Sequence, residues 1–428
     1  MEYKSKIIQF GEGNFLRAFI EEYIYDANNC GYDGKVVICQ PRTNNKTINV
    51  LKKQDCKYDI VKRGYLNNQI IDERIEITSV SECIDVISEL DLLIESFCCD
   101  DLQMVVSNTT EAGIYFNDND KYGDYHNISF PAKLTYLSYL RYKQNKSGLV
   151  FLPCELIENN GITLRKSMLK YADIWNLDIS FCEYLNNECS CCNTLVDRIV
   201  TGHNPSDTDP CSVNCEPYRL FIIDCDKKAK KILPFNDSSV IFTDKLPLYR
   251  ERKVKILNGI HTMMCPYAFL NNFDIVRDAV NDKKISDYIA QGVEEIKKTI
   301  DFNENESEEY YQSVLNRFSN PYIDHKISDI LLNSISKFKS RVLTSIIDYC
   351  KIFGNVPDTL CKSFAYLIAY YNHKSEKIYQ VNDIKTVLEF FEDKPTVKQV
   401  LSNKDFWDFD LTQIEGLTEK VEYYYDTI

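Results

Sequence analysis

Apolar residues follow two different patterns along the chain, and the change lies near residue 245. Before it, short apolar runs alternate with glycine turns and helical stretches, which is typical of a doubly wound α/β domain. After it, apolar residues recur at helical spacing, most clearly at 285–299, 308–318, 327–349, 359–371 and 384–391. Since 428 residues also exceed one ordinary core, we predict two domains, 1–245 (α/β) and 246–428 (mainly α-helical).

The N-terminal segment combines an apolar strand, a glycine turn and a helix. Residues 7–10 are predicted to form the strand, Gly11 and Gly13 the turn, and Asn14 begins the helix. In a dinucleotide-binding unit such glycines let the backbone approach a pyrophosphate, and the helix N-terminus favours its negative charge. Leu16 replaces the third glycine of the usual fingerprint, so an ordinary strand-to-helix turn stays open as an alternative.

Two strand ends in this domain offer further ligand-binding positions. The second strand, 35–40, ends in Gln40, where NAD-binding domains often carry an acid for the ribose hydroxyls. Gln40 could bond a ribose hydroxyl and Arg42 could face a 2′-phosphate, so these residues do not decide between NAD and NADP. A strand at 104–108 ends in small polar residues, where a doubly wound sheet places its ligand.

The remaining elements of the first domain follow from apolar runs, alternation and proline positions. We expect strands at 59–78, 90–97, 148–153, 194–201 and 218–224, helices at 131–142 and 162–172, and an exposed loop at 203–217. Asp197 and Arg198 fall inside the apolar run 194–201. A charged pair in such a place is more often a buried ion pair than a catalytic group.

Charge and hydropathy exclude several classes of protein. The net charge is −14 and no basic run could follow a phosphate backbone, which argues against a nucleic-acid partner. No apolar stretch approaches the roughly 20 residues of a membrane span. The N-terminus has no signal-peptide core, so we expect a cytoplasmic protein with a small-molecule partner. Oligomeric state is left open.

The seventeen cysteines are scattered, and their densest group is Cys189, Cys191, Cys192, Cys211 and Cys215. This group lacks the paired Cys-x-x-Cys knuckles of common zinc modules. We therefore expect reduced thiols and no metal, with a structural zinc site as the alternative.

One stretch of the second domain carries three residues that can do chemistry, Lys253, Asn258 and His261. On an α-helix Asn258 lies roughly 140° and His261 roughly 80° round the axis from Lys253. The polar ends of the three side chains therefore lie within one arc of the helix surface. An amine can move a proton, while an amide and an imidazole can hold a carbonyl or alcohol oxygen. The alternative is a surface helix whose polar side happens to contain these residue types.

Four motifs occur in an order that resembles one family. They are Gly11-Glu-Gly-Asn-Phe-Leu-Arg17-Ala18, Glu155-x-x-x-x-Asn160-Gly161, Val196-Asp197-Arg198-Ile199 and Lys253-x-x-x-x-Asn258-x-x-His261. Together they resemble the mannitol dehydrogenase family of polyol-specific long-chain dehydrogenases. The stretches 10–19, 106–114 and 332–341 are similar to members that act on keto-hexuronates.

This resemblance implies a fold and a set of site residues. The fold is an N-terminal Rossmann domain with an extended sheet and a helical C-terminal domain, with NAD as cofactor and substrate between the domains. The implied catalytic residues are Lys253, Asn258, His261 and Asn160, and the implied substrate-binding residues are Asp197, Lys337 and Arg341. The implied cofactor-binding residues are Gly11, Glu12, Gly13, Asn14, Phe15, Arg17, Gln40, Asn108, Thr110 and Glu111.

One position departs from the family pattern. Mannitol dehydrogenases have an arginine eight residues before the lysine that matches Lys337, and this chain has Asp329. Contacts to a polyol from that position are therefore in doubt. Arg341, or alternatively Lys339, is expected to serve a substrate carboxylate.

The implied reaction is reduction of a keto-hexuronate such as tagaturonate by NADH to its aldonate. Asn160 and Asn258 would bond the developing oxyanion, and Lys253 would supply the proton once burial has lowered its pKa. His261 would hold the substrate oxygen or orient Lys253, and no metal is needed. The alternatives are a fructuronate, mannitol or other polyol dehydrogenase, a sugar-phosphate dehydrogenase, and a nucleotide-binding protein without catalysis.

Overall fold

The computed structural model of the chain describes residues 4–40, 46–66, 69–109 and 113–428. The chain divides into two compact units, Met1–Leu246 and Pro247–Ile428. The first contains sheets and helices and the second mainly helices, which confirms the predicted fold class.

The described strands of the first unit are β1 (Lys4–Phe10), β2 (Gly34–Gln40), β3 (Tyr58–Leu66), β4 (Gln69–Ile77), β5 (Val80–Asp85), β6 (Met104–Ser107), β7 (Val150–Pro153), β8 (Ser190–Cys191), β9 (Asn193–Asp197), β10 (Val200–Gly202), β11 (Val213–Cys215), β12 (Leu220–Asp224) and β13 (Val240–Phe242). Its helices are α1 (Asn14–Asn29), α2 (Lys46–Lys53), α3 (Leu90–Phe97), α4 (Phe130–Lys143), α5 (Asn160–Ile174), α6 (Ile179–Glu183), a π-helical turn (Tyr184–Glu188) and α7 (Lys227–Ile232).

A six-stranded parallel sheet forms the centre of the first unit. Its strand order is β5-β2-β1-β6-β7-β8. Counted along the chain within this sheet, the order is 3-2-1-4-5-6, which defines the Rossmann fold. The order reverses between β1 and β6, and in such sheets the ligand binds beyond the carboxyl ends of the strands at this point.

Alternation along β1 explains why both faces of this sheet are covered. Ile7 packs into one apolar cluster with α1 residues such as Phe19, whereas Ile8 and Phe10 pack into a second cluster on the other face. Each fully buried apolar side chain contributes about 1.5–3 kcal/mol. The smaller sheets β10-β11-β3-β4 and β13-β12-β9 extend the unit, as the alternating pattern at 59–78 predicted.

Three predictions for the first unit were wrong. Residues 90–97 form helix α3 and not a strand, because the apolar residues Leu93 and Phe97 lie one helical turn apart and both are buried. The expected loop 203–217 contains strand β11, which pairs with β3 and buries Val213. The expected strand 194–201 is two strands, β9 and β10, that belong to different sheets.

The second unit consists of helices. They are α8 (Leu246–Arg252), a π-helical segment (Lys253–Asn258), α9 (Gly259–Leu270), α10 (Val276–Asn281), α11 (Lys283–Lys297), α12 (Glu304–Phe318), α13 (Ile327–Ile330), α14 (Ser334–Phe338), a second π-helical segment (Lys339–Leu343), α15 (Thr344–Phe353), α16 (Asp358–Tyr371), α17 (Lys385–Glu392), α18 (Val397–Leu401), α19 (Lys404–Trp407), a 3₁₀ turn (Leu411–Gln413) and α20 (Leu417–Asp426).

Helix α9 is the centre of this second unit. Most of its residues are buried, and it packs against α16, α11, α13 and α14. The stretch predicted to be helical at 327–349 is helical in two parts, because the chain turns at Asn333, which has a φ of 53°. The part after this turn passes through the second π-helical segment. Within the described part of the chain, every helix is too short or too polar to cross a bilayer.

Candidate active site

The glycine turn after β1 has the geometry of a phosphate cradle. Gly11 has a φ of 122°, which favours glycine, and its N–H donates to the Cys39 carbonyl at 2.9 Å. A Cβ there would lie 3.5 Å from the Asn108 carbonyl oxygen. Gly13 and Asn14 are exposed at the start of α1, where the first N–H groups of a helix have no intrahelical partner. Backbone donors are therefore presented where an anionic group can reach them.

Arg17 supports this turn from beneath. Its side chain is buried and donates to the Glu12 carbonyl at 3.0 Å, the Asn14 side-chain oxygen at 2.7 Å and the Cys211 carbonyl at 2.5 Å. Its guanidinium also lies over the Tyr58 ring. These contacts fix the shape of the turn, so direct contact between Arg17 and a cofactor stays a prediction.

The other expected cofactor residues lie around the same end of the sheet. Phe15 stacks on Phe19, Gln40 is the buried last residue of β2, and Asn108 directly follows β6. The Asn108 amide donates to the Cys154 carbonyl at 2.7 Å and thereby joins the ends of β6 and β7. Thr110 and Glu111, together with Arg42, lie outside the described residues.

Asn160 and Gly161 make close contacts within the first unit: the Asn160 carboxamide is hydrogen-bonded and Gly161 is tightly packed. The Asn160 amide nitrogen bonds the carbonyls of Pro153, Glu155 and Thr194 at 2.8, 3.1 and 3.2 Å, and its oxygen accepts from the Thr194 N–H. Asn160 is 1% exposed. A Cβ on Gly161 would stand 2.3 Å from the Cys192 carbonyl oxygen, so the glycine is needed for packing. This geometry gives Asn160 a structural role, and its donation to substrate stays a prediction.

Asp197 and Arg198 stand at the end of β9. Asp197 is buried and pairs in register with Leu220 of β12. Arg198 forms a buried ion pair with Glu22 of α1. Arg219 and Lys62 also approach Glu22, so the charged motif ties α1 to the smaller sheets. Contact between Asp197 and a substrate stays a prediction.

Lys253 and Asn258 span a π-helical segment, which corrects the α-helical spacing assumed from the sequence. The π-helix bonds residue i to residue i+5, so these two residues lie one hydrogen-bonded turn apart on one face. Both side chains are half-buried, and among the described residues the Asn258 carboxamide has no hydrogen-bond partner. Single π-helical turns inside α-helices occur frequently at functional sites.

His261 follows on the first turn of α9 and is 8% exposed. Its ring stacks on Phe318 with centroids 3.9 Å apart and meets His325 edge-on at 5.2 Å. The ring nitrogen Nε2 is buried without a hydrogen-bond partner among the described residues. Burial, His325 and the nearby cations Arg341, Arg317 and Lys337 hold the pKa of His261 well below its usual value. The imidazole is therefore neutral at neutral pH.

Lys337 and Arg341 stand on the element that follows the Asn333 turn. Lys337 Nζ donates to the Ile330 carbonyl at 2.8 Å, and Arg341 Nη1 lies 3.4 Å from the hydroxyl of Thr262, the residue after His261. Burial lowers the pKa of both groups, and Arg341 lowers that of Lys337 further. Among the described residues neither has a carboxylate partner. Two positively charged side chains without a carboxylate partner among the described residues therefore lie near His261.

Two nearby lysines have other roles. Lys339, the alternative carboxylate ligand, pairs with Asp408 at 2.6 Å, so the candidate from this element is Arg341. Lys255 is buried and bonds Glu251 at 2.8 Å, Asp348 at 2.9 Å and the Thr299 carbonyl at 2.9 Å. It anchors the π-helical segment of Lys253 to the core.

Sequence reasoning missed His325 and Phe318, which complete the surroundings of His261. Neither belongs to a motif, and no spacing pattern relates them to His261. The signal for His325 is scarcity, since the chain has five histidines, whereas Phe318 is one of 22 phenylalanines and carries no such signal. Among the described residues no group of three or more His, Cys, Asp or Glu could hold a metal ion. The seventeen cysteines, all within the described ranges, are free thiols.

A Rossmann sheet with a glycine turn, followed by a helical unit that presents a lysine, a carboxamide and an imidazole, defines a dinucleotide-dependent dehydrogenase. The family model of the mannitol dehydrogenase Rossmann domain matches residues 5–235, and that of the mannitol dehydrogenase C-terminal domain matches residues 245–428. The chain belongs to the mannitol dehydrogenase family, which confirms the resemblance stated above.

Curated relatives cover nearly the whole chain. An altronate oxidoreductase of Bacillus subtilis (strain 168) is 37% identical over 100% of this chain and 93% of its own length. Those of Halalkalibacterium halodurans and Escherichia coli O7:K1 are 34% and 36% identical over 98% of this chain, and 91% and 93% of their own lengths.

Solved structures agree with the fold. The mannitol 2-dehydrogenase of Pseudomonas fluorescens, in ternary complex with NAD and D-mannitol, is 19% identical with a TM-score of 0.73 over 100% of this chain and 92% of that one. A D-sorbitol dehydrogenase in substrate-free form is 17% identical with a TM-score of 0.84, over 100% and 93%. At these identities the likeness concerns the fold alone.

Proposed function

We propose that the protein is an NAD-dependent oxidoreductase that interconverts tagaturonate and altronate. In the reducing direction a ketone, NADH and a proton give a secondary alcohol and NAD. The full-length similarity to altronate oxidoreductases supports the substrate class. The geometric observation that carries the proposal is the face bearing Lys253 and Asn258, together with two cations near His261, Lys337 and Arg341. Neither cation has a carboxylate partner among the described residues.

The first unit fits a nicotinamide dinucleotide. The cradle at Gly11 and the exposed start of α1 at Gly13 and Asn14 would hold the pyrophosphate, and Gln40 at the end of β2 would bond the adenosine ribose. When bound, the reduced nicotinamide supplies the hydride. We propose NADH as the preferred coenzyme, and kcat/KM for NADH against NADPH tests that choice.

The second unit supplies the proton and stabilises the negative charge on the oxygen. Lys253 gives its proton to the developing alkoxide, and takes it back in the oxidising direction. The unpartnered carboxamide of Asn258 donates to the same oxygen, and one such donor is worth about 3 kcal/mol of barrier. His261 is neutral and has an unpartnered Nε2, so it can bond a substrate hydroxyl without adding charge. Donation from Asn160 to this oxygen stays a prediction, and this step does not depend on it because the Asn160 amide nitrogen already bonds three backbone carbonyls.

The reaction needs no metal in this proposal, because the ammonium and the carboxamide provide the charge stabilisation that a Lewis acid would otherwise give. A fructuronate reductase or a neutral-polyol dehydrogenase of the same family are the alternatives. Lys337 and Arg341 are half-buried cations without a carboxylate partner among the described residues, and such cations favour an anionic substrate over a neutral polyol.

NADH oxidation followed by absorbance tests the proposal, with tagaturonate, fructuronate and fructose as substrates. We expect the highest kcat/KM with tagaturonate. A higher value with fructose would overturn the uronate assignment, and a higher value with fructuronate would move it to the epimeric substrate. Absence of turnover with all three would overturn the assignment as a whole.

A further inference from the structure

His325 lies beside His261 in the second unit, in a group of side chains that no motif predicts. We call it the His325 cluster and define it by His261, His325, Lys337 and Arg341. Its side chains come from α9, from the segment between α12 and α13, from α14 and from the second π-helical segment. The edge-on ring contact at 5.2 Å joins the two imidazoles, and the Lys337 and Arg341 charges act on His261.

Backbone contacts hold His325 in this position. Its carbonyl accepts from the Val276 N–H at 2.9 Å, and an antiparallel bridge joins Ile275 to Lys326 directly beside it. Arg277 clamps the same segment through the Pro321 carbonyl at 2.9 Å and the Asp324 carboxylate at 2.7 Å. The histidine is thus fixed by contacts that its own side chain does not make.

The charges around this cluster are mostly positive. The charged or titratable groups around His261 are His325, Arg341, Arg317 and Lys337. Those around His325 are Asp329 and Lys337. Those around Lys337 are Arg341, the Cys265 thiol and Asp383. Asp329 is exposed, and the Asp383 carboxylate already accepts from the Tyr371 hydroxyl. Among the described residues no carboxylate neutralises Arg341 or Lys337, and His261 keeps a buried, unpartnered ring nitrogen.

We propose that His325 is a specificity-determining residue, which with Arg341 binds the carboxylate of the substrate and takes up a proton as the carboxylate binds. This rests on the proposed function and specifies how the same site selects a keto acid over a neutral ketose. Arg341 supplies the permanent charge and His325 the charge that depends on pH.

The proton uptake follows from the surroundings of His325. Burial, partly offset by Asp329, and the charge of Lys337 lower the pKa of its imidazole, so it is neutral at neutral pH without ligand. A carboxylate favours the imidazolium and raises that pKa. Affinity for a keto acid therefore increases as pH falls, whereas affinity for a neutral ketose gains nothing from this protonation.

The test compares tagaturonate with tagatose, which differ in having a carboxylate or a hydroxymethyl group at one carbon. A hydrogen bond to a charged group is worth about 10- to 100-fold in affinity. For the wild type we expect KM for tagaturonate to fall at least about tenfold from about pH 8 to about pH 6, and KM for tagatose to show no such fall.

Three variants separate the roles. His325→Gln should lower the ratio of kcat/KM for tagaturonate over tagatose by at least about tenfold at about pH 6 and remove its pH dependence. His325→Lys keeps a charge at every pH, so it should retain the high ratio and lose the pH dependence. Arg341→Met should lower the ratio at all pH values and retain the pH dependence. His126→Gln, at an exposed histidine of the first unit, is the matched control.

Equal loss of kcat/KM for both substrates in His325→Gln would overturn the proposal and give the residue a structural role. An unchanged ratio or an unchanged pH dependence would also overturn it. Calorimetric binding of altronate in buffers of different ionisation enthalpy gives a second readout that needs no turnover; absence of proton uptake by the wild type contradicts the proposal. A wild type that reduces tagatose but not tagaturonate would instead refute the proposed function.

Discussion

Glu21 offers a quantitative test of the buried electrostatics of helix α1. It lies in α1, is 0% exposed, and one of its carboxyl oxygens lies 3.1 Å from the Ser79 hydroxyl. Burial raises its pKa to about 8, against the lowering effects of Ser79 and Arg17. The carboxyl group is therefore mostly protonated at neutral pH in the folded protein, whereas it is ionised in the unfolded chain.

The sign of its effect on stability follows from that difference. A raised folded-state pKa gives a contribution that is fully present below the unfolded pKa of about 4.5 and is lost as pH rises towards about 8. The loss is about 1.4 kcal/mol per pH unit, which amounts to about 3 kcal/mol at pH 7. Glu21→Gln keeps the shape and the polar contact with Ser79 and removes this titration. We expect the variant to match the wild type at low pH and to be more stable by about 3 kcal/mol at pH 7.

Urea denaturation followed by circular dichroism at several pH values between about 5 and 8 measures the difference in the free energy of unfolding. The matched control is Glu22→Gln, the same substitution at the next residue. Burial alone would raise the pKa of Glu22, but Arg198, Arg219 and Lys62 outweigh it and hold that pKa below its usual value. That variant should lose stability at neutral pH, where the ion pairs are intact. If the difference in the free energy of unfolding between Glu21→Gln and the wild type does not grow with pH, the Glu21 carboxyl group is ionised in the folded state. That result would refute the raised pKa.

Four further results are expected. Lys253→Ala should lower kcat by about 10²- to 10⁴-fold, while the affinity for NADH changes little. The control variant Lys298→Ala, at an exposed lysine, should keep the wild-type kcat. Equal kcat in the two variants would show that Lys253 takes no part in the reaction. Gly11→Ala forces a side chain into a φ of 122° and should weaken NADH binding measured by fluorescence about tenfold or more, and unchanged affinity would contradict the cradle. Lys255→Met should lower the thermal midpoint, because it removes the buried ammonium that bonds Glu251, Asp348 and the Thr299 carbonyl; an unchanged midpoint would refute that anchor. Activity should survive prolonged dialysis against EDTA, and loss that zinc restores would contradict a metal-independent reaction.

Patterns along the chain predicted most of the architecture because they depend on local periodicity. The strand, glycine turn and helix at the N-terminus, and the change to helices at Leu246, both follow from apolar spacing. Helix α3 was mistaken for a strand because its apolar residues are almost continuous, although Leu93 and Phe97 have helical spacing. Short apolar runs do not distinguish a buried strand from a buried helix without their surroundings.

The candidate site was predictable in residue type and less so in geometry. The spacing of Lys253 and Asn258 marked them, but nothing in the residue pattern signals a π-helical turn. This segment contacts the second π-helical segment, which contains Arg341, and that tertiary contact cannot be read from local spacing. Asn160 looked equivalent to Asn258 in the sequence, and only the backbone carbonyls around it distinguish a structural amide from an available one. His325 approaches His261 through tertiary contacts alone.

The most direct test of the central claim is the identity and stoichiometry of the product made from tagaturonate. Purified protein is incubated with NADH and either tagaturonate or its epimer fructuronate, coenzyme oxidation is followed by absorbance, and the aldonate is identified by chromatography. With tagaturonate we expect one altronate for each NADH consumed, and a higher kcat/KM than with fructuronate or fructose. NADH oxidation without altronate, or a preference for the neutral ketose, would contradict this expectation.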